Sequence, residues 1–329
     1  MSIITAADLS VEDCLETIAG QEALRTLGWR SLDARGVGCG PGDLLICAGR
    51  TGHGKTAALA NILVHWLESH PTQTFMVISC ELPVEQLFLR MLSIVGRRNE
   101  LGEWSYAELK RQLKARPADP AASGSALPQG LQDALDRVRD LAQRVHVVYA
   151  PELAADVLVE TCRDYAAKDS RLGGVFVDYL QLIGPPAGVT VAPEERVQIV
   201  SRRMKALAVE LGCPVVTAAQ IHSAAAKVSE VLPHGELEDE AVMEAIGKRR
   251  PQLHQLGQGG GEQEADMVIG LLNYQADYLA GKRQVGAEIR IDKTTLSGTP
   301  YEVTVIKNRH GELGSARLVL EATTGYLRD

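Results

Sequence analysis

Short, unbroken apolar runs recur along the chain: DLLICA (43–48), FMVISC (75–80), VHVVYA (145–150), VFVD (175–178), PVVTAA (214–219) and MVIGLL (267–272). The first reads as a buried strand and the others as further strands. Helices are expected from the glycine-rich turn at residue 54 to about residue 69, over 83–95, near 154–168 and over 194–211. This alternation predicts an α/β fold with a mostly parallel sheet and helices on both faces. After residue 286 the pattern changes, because EIRIDKTT, YEVTVIK and ARLVLE alternate and are separated by turn residues; a C-terminal β-hairpin edge is expected. Residues 116–130, rich in Pro, Ala, Ser and Gly, read as a flexible loop. Residues 222–261 have no sustained period and contain GQGGGE, so a long, mobile loop is expected there, of a length that is usually functional or disordered. Near the start, residues 10–19 read as a short amphipathic helix, with Ser10 as cap, Asp13 at the reciprocal capping position, and Leu15 and Ile18 on one face. The organisation expected is an N-terminal segment over 1–30 and one domain over 31–329.

Composition narrows the class. Hydrophobic residues make up 45% and charged residues 23% of the 329 positions, the mix of a globular chain able to bury a full core. Aromatics are only 4%, so the core must rest on Leu, Val, Ile and Ala. The formal charge of −8 opposes polyanions over the whole molecule, and any nucleic-acid contact must come from a local basic surface. The six cysteines form no CxxC pair, which argues against a zinc ribbon or a disulfide framework. With no signal-like start and no 18-residue apolar run, a cytoplasmic protein without a membrane partner is expected.

The strongest chemical signal is GRTGHGKT, residues Gly49, Arg50, Thr51, Gly52, His53, Gly54, Lys55 and Thr56, which matches the phosphate-loop pattern G-x-x-x-x-G-K-[ST]. It lies between an apolar strand and an amphipathic helix, the context that supports the match. The glycines let backbone N–H groups approach phosphates at a helix N-terminus whose dipole favours anions. Lys55 would reach the β and γ phosphates and Thr56 would ligate Mg²⁺; His53 sits at a free position of the pattern and reads as passive. Asp178 ends the strand VFVD, where a Mg²⁺-shell carboxylate belongs, though a plain turn former would look the same. Glu81 follows FMVISC at the sheet edge where a group polarising the attacking water would stand, or it is a capping acid ahead of Pro83. Gln220, after PVVTAA, is either a γ-phosphate contact or an ordinary strand-end amide.

In their order these pieces resemble the C-terminal, RecA-like motor domain of DnaB-type replicative helicases. The resemblance is carried by SLDARGVGCGPGDLLICAGRTGHGKT (31–56), ISCELPVEQLFLRMLS (78–93), VFVDYLQLI (175–183), VSRRMKALAVELGCPVVTAAQ (200–220), KRRPQLHQLGQGGGEQEADMVI (248–269) and VIKNRHGELGSARLVLE (305–321). It implies an ATP-hydrolysing, Mg²⁺-dependent motor on single-stranded DNA, assembled as a homo-oligomeric ring, a hexamer. A loader or other replication proteins are further candidate partners. Glu81 is implied as the catalytic glutamate, Asp178 as the Mg²⁺-shell aspartate and Gln220 as the γ-phosphate sensor. Lys307 and Arg309 of the KNR string are implied as cations that reach ATP on the next subunit. Without the resemblance, that pair reads as solvated charges on an edge hairpin.

Two departures qualify the resemblance. The family's N-terminal helical domain is expected to be lacking, since about thirty residues precede the motor. Where the family carries an Arg-Glu-Ser-Gly stretch facing the central channel, this chain has Gly257, Gln258, Gly259 and Gly260. Glycine-loop N–H groups can still hold phosphates, and Lys248, Arg249 and Arg250 upstream either supply charge to DNA or form a solvated loop. A recombination ATPase and a DNA-independent regulatory or assembly ATPase stand as alternatives.

Overall fold

The apolar runs become the middle of one sheet, and the order in which they sit decides where the site lies. The computed structural model of the chain describes residues 23–114, 127–221, 244, 246–256, 261–278, 288–291 and 294–329. The helix expected at 10–19, residues 116–126 of the expected flexible loop, residues 222–243 and Gly257–Gly260 lie outside the described residues.

In chain order the elements are β1 (Arg25–Thr26), α1 (Arg30–Asp33), β2 (Gly38–Cys39), β3 (Leu44–Gly49), α2 (Lys55–Ser69), β4 (Thr74–Ser79), α3 (Val84–Arg98), α4 (Tyr106–Lys114) and α5 (Gln129–Ala142). There follow β5 (Val145–Tyr149), α6 (Ala155–Ala166), β6 (Leu172–Asp178), α7 (Pro193–Leu211), β7 (Val215–Gln220), β8 (Met267–Asn273) and α8 (Tyr274–Tyr278). The chain closes with β9 (Glu288–Ile291), β10 (Thr294–Ser297), β11 (Thr299–Asn308), β12 (Gly314–Glu321) and β13 (Tyr326–Arg328). The main sheet runs β13-β12-β11-β8-β3-β7-β6-β4-β5. Its β8-to-β5 half is parallel, and β11, β12 and β13 extend it antiparallel. The expected hairpin edge is thus β11–β12 with β13 added, and β9–β10 form a separate two-stranded sheet.

β3, β4 and β8 are buried at every position, as strands covered on both faces must be. One face packs under α2, α3 and α5, with Leu63, Trp66, Phe75, Leu92, Val138 and Phe176 in its core. The other packs under α6 and α7, with Ile46, Ile78, Leu158, Val177 and Met204. The few aromatics are concentrated: Phe176 meets the Trp66 ring edge-on at 5.2 Å and Phe75 at 6.4 Å. α7 starts with Pro193 in its first turn beside Glu194 and Glu195, and stops at Gly212, whose φ of 62° is the left-handed cap glycine accepts readily.

Three expectations need correction. The folded unit begins before residue 31: β1 pairs with β2, and Leu27 and Trp29 are fully buried. Residues 129 and 130 belong to α5, not to a loop; its buried Leu131, Ala134, Leu135, Val138 and Leu141 follow helical spacing. A Cβ on Gly130 would stand 2.0 Å from the Leu101 carbonyl oxygen, so glycine lets α5 close on its neighbour. Part of the 222–261 stretch is docked: Ile246 and Leu256 are buried, and Pro251 packs where Gly270 leaves room on β8.

Candidate functional site

Parallel register brings the chemistry-bearing strand ends to one edge. Gly49 at the end of β3 pairs with Gln220 at the end of β7, and Ser79 at the end of β4 pairs with Asp178 at the end of β6. Glu81 stands two residues beyond Ser79, exposed to solvent in the turn before α3. The phosphate-loop candidates Gly49 through Thr56 fill the turn from β3 to α2. Gly52 and Gly54 have φ of 81° and 73°, which a side chain would strain, and Gly54 forms the N-cap of α2. The Lys55 ammonium donates to the Arg50 carbonyl at 3.1 Å, folding over the loop. Burial pulls its pKa down, and the fields of Asp178 and Glu81 push it back up.

Asp178 is 6% exposed, and neither carboxylate oxygen has a hydrogen-bond partner. Burial raises its pKa above the ordinary range; Thr56 close by, Arg90 and Lys55 oppose the shift, while Glu81 adds to it. A buried, unpartnered carboxylate beside the hydroxyl of Thr56 is costly alone and suits a hard cation that takes oxygen ligands. The residues present therefore fit Mg²⁺, with Thr56 and Asp178 as the side chains that would hold it.

Gln220 bridges two parts of the edge. Its side-chain amide donates to the Thr51 hydroxyl at 3.1 Å, and its backbone is clasped by Gln181, at 2.9 Å through the carbonyl and 3.1 Å through the N–H. A residue so placed feels the phosphate loop directly and leads into the segment after β7.

His53 is built into the fold. It is 2% exposed, its Nδ1 faces the Leu271 carbonyl at 3.2 Å and the Asn273 N–H at 3.3 Å, and its carbonyl accepts from the Tyr301 hydroxyl at 2.7 Å. Asn273 also donates to the Gly52 carbonyl at 3.3 Å. The loop is thereby pinned to β8 and β11. The Arg50 side chain points away from the phosphate cradle and donates to the Arg249 carbonyl, at 3.0 Å through Nη1.

The basic trio divides. Arg250 forms a two-pronged pair with Glu302, which is 1% exposed and also accepts from Tyr274 at 2.9 Å and Thr304 at 3.0 Å. Arg250 is thus tied to a buried carboxylate and supports the fold at this point. Arg249 is tied to Arg50 through its carbonyl. Lys248 is exposed and pairs with Glu244, four residues before it, at 3.3 Å.

Lys307 and Arg309 stand at the opposite edge. β11 runs against β8 with Asn308 opposite Met267 and Tyr301 opposite Asn273, so its end lies where β8 begins. Six strand steps of ~3.3 Å put that point about 20 Å from the phosphate loop, beyond an arginine's reach. Lys307 donates to the Glu262 carbonyl at 2.6 Å; Arg309 pairs with Asp266 at 2.8 Å. The residues that the sequence reading missed are Arg90, Gln181, Asn273 and Asp266. Arg90, Gln181 and Asp266 lie inside stretches that carry the family resemblance and Asn273 lies outside them, but it is their neighbours in space that single them out.

A family model described as the DnaB-like helicase C terminal domain matches residues 25–327. The chain is 26% identical over 296 residues to the replicative DNA helicase DnaB of Geobacillus stearothermophilus, covering 88% of this chain and 53% of the relative. It is 27% identical over 305 residues to a probable plasmid replicative DNA helicase of Chlamydia psittaci, covering 91% and 54%. The chain thus spans about half the length of the curated relatives it matches. Among solved structures, the ATPase domain of G40P superposes with a TM-score of 0.70 at 19% identity, covering 97% of this chain and 98% of that one. A DnaB-like replicative helicase, described with its interactions with primase, superposes with a TM-score of 0.68 at 19% identity, covering 98% and 68%. At that identity these likenesses speak to the fold. Among the described residues no helix is long and apolar enough to cross a membrane.

Proposed function

This chain belongs to the DnaB-like helicase C-terminal domain family, and on that premise we propose that it is an ATP-driven motor that moves along single-stranded DNA and separates duplex strands. The observation that carries the reading is the division of labour across the sheet. The phosphate loop, Thr56, Glu81, Asp178 and Gln220 share one edge, while the cations Lys307 and Arg309 stand at the other. A cation that cannot reach its own subunit's nucleotide can complete a neighbour's, and such a finger is worth roughly 10³–10⁵ in rate. Hydrolysis would then require a homo-oligomeric ring, a hexamer in this reading, with a loader or other replication proteins as partners.

The roles follow from position. Loop N–H groups and Lys55 hold the phosphates at the α2 N-terminus. Glu81, exposed beside Asp178, orients and polarises the attacking water. Bound at Thr56 and Asp178, Mg²⁺ would neutralise charge on the phosphate oxygens. Gln220, in touch with Thr51, passes the state of the phosphate loop to the segment after β7. Contact with DNA falls to Lys248, to backbone N–H groups of Gly257, Gly259 and Gly260, and to Gln258, all blind to base identity as a motor requires.

The test is steady-state ATP turnover with and without single-stranded DNA at two salt concentrations, alongside strand separation on a forked substrate, with Lys55→Ala as the blank. Stimulation by DNA that weakens with salt, together with unwinding, supports the motor. Turnover indifferent to DNA, with no unwinding, would replace it by a DNA-independent regulatory ATPase. Mixing Arg309→Ala with Lys55→Ala subunits tests the shared site, since neighbours carrying complementary defects should regain part of the turnover.

A further inference from the structure

Arg309 is held more firmly than an exposed hairpin arginine needs to be. Its backbone N–H donates to the Asp266 carbonyl at 2.9 Å, its Nη1 to the Asp266 carboxylate at 2.8 Å and its Nη2 to the Gln263 carbonyl at 3.3 Å. Its side chain nevertheless remains 49% exposed. Asp266 is 3% exposed and cannot swing: its second oxygen accepts from Lys205 at 2.7 Å and from the Leu44 N–H at 2.8 Å. Lys205 is fixed in turn on the Gly42 carbonyl at 2.8 Å. Burial alone would raise the Asp266 pKa, but the Lys205 hydrogen bond, the Leu44 N–H and the two cations outweigh it and hold the group below its ordinary value. Asp266 is therefore a fixed anion with one oxygen aimed at the guanidinium.

We propose that Asp266 is the positioning residue for Arg309, orienting its guanidinium outward from the subunit edge so that it enters a neighbour's nucleotide site already aligned. The proposal rests on the shared-site reading of Arg309 given above. An unanchored arginine would sample many rotamers and have to be ordered at every turnover. A fork gripped at two points leaves its remaining N–H groups facing out in one direction. Preorganisation of this kind acts on the chemical step, because a reacting group displaced by about 1 Å can cost ~10²-fold in rate.

The test compares Asp266→Asn, Arg309→Lys and Arg309→Ala, alone and mixed with excess Lys55→Ala subunits, in DNA-stimulated ATP turnover. Asp266→Asn keeps the volume and can still accept from the Leu44 N–H. It should lower kcat by ~10²-fold while KM and binding of a fluorescent ATP analogue stay within about twofold, because each subunit's own phosphate loop is intact. Mixing should restore part of its turnover, since Lys55→Ala neighbours offer a well-held Arg309; a merely destabilised fold would not be rescued. Arg309→Lys, at a half-exposed position where folding is not at stake, keeps the charge but loses the fork, and should fall at least ~10-fold. Near-wild-type turnover of Asp266→Asn or of Arg309→Lys overturns the proposal, as does failure of mixing to rescue Asp266→Asn when it rescues Arg309→Ala. Failure to rescue Arg309→Ala itself would instead remove the shared-site reading beneath it.

Discussion

Replacing Arg250 by Ala separates a structural cation from a DNA-binding one. The change leaves the Glu302 carboxylate, 1% exposed, with the Tyr274 and Thr304 hydroxyls as its remaining donors among the described residues. Removing one partner of a buried pair costs roughly 3–5 kcal/mol. Because the Arg250 side chain is 38% exposed, solvent screens part of the interaction, and about 2–3 kcal/mol is expected. Urea unfolding of the nucleotide-free protein reads this directly. The pH dependence has a fixed sign. Burial pushes the Glu302 pKa up, but the hydrogen bond and charge of Arg250, with the two hydroxyls, bring it below its ordinary value. Its contribution is present above the unfolded carboxylate value and is lost as pH falls through the folded one. The stability gap between wild type and Arg250→Ala should therefore close on acidification. In parallel, affinity for single-stranded DNA should keep its salt dependence, whereas a lost phosphate contact would reduce the slope by about 0.7. Unchanged stability with a reduced slope would refute the reasoning and return Arg250 to the DNA-binding surface.

Other perturbations probe the edge that carries the phosphate loop. Glu81→Gln should retain ATP binding in a fluorescent-analogue titration while turnover falls by 10²-fold or more, the usual size of a general-base contribution; retained turnover would exclude Glu81 as the group acting on water. Asp178→Asn should abolish Mg²⁺-dependent hydrolysis and yet raise the Tm of the metal-free protein, because it removes a buried, unpartnered charge. A lowered Tm would show that Asp178 has a stabilising partner in the folded protein. Changing His53 to Ala should weaken ATP binding and lower Tm together, as the loop loses its link to β8; full affinity would make His53 the passive residue that its position in the motif suggested.

The inner strands were legible because each is a continuous apolar run, as burial on both faces demands; β5 carries such a run at the sheet edge, where it is only partly buried. The phosphate loop was legible for a related reason: glycines at fixed spacing ahead of Lys-Thr satisfy a local backbone requirement, visible without any distant contact. Asp178 and Glu81 could be picked out once strand ends were known to gather at one edge. α5 was not read, although Leu131, Ala134, Leu135, Val138 and Leu141 keep helical spacing with Asp and Arg on the other face, because its first turn falls inside a stretch rich in Pro, Ala, Ser and Gly.

What the sequence alone determined, then, is the set of local facts: which segments are strands, which turn can hold phosphate, and which family the order of motifs resembles. The tertiary structure decided every role that depends on a partner far along the chain. Arg250 became a support because Glu302, 52 residues on, is buried beneath it. His53 became a pin because β8 and β11 supply its partners 218 and 248 residues away. Lys307 and Arg309 were removed from their own site by the antiparallel entry of β11, which carries them to the far edge of the sheet. Charges and hydrogen bonds act over a few ångströms of space, and only folding decides which residues come within that range.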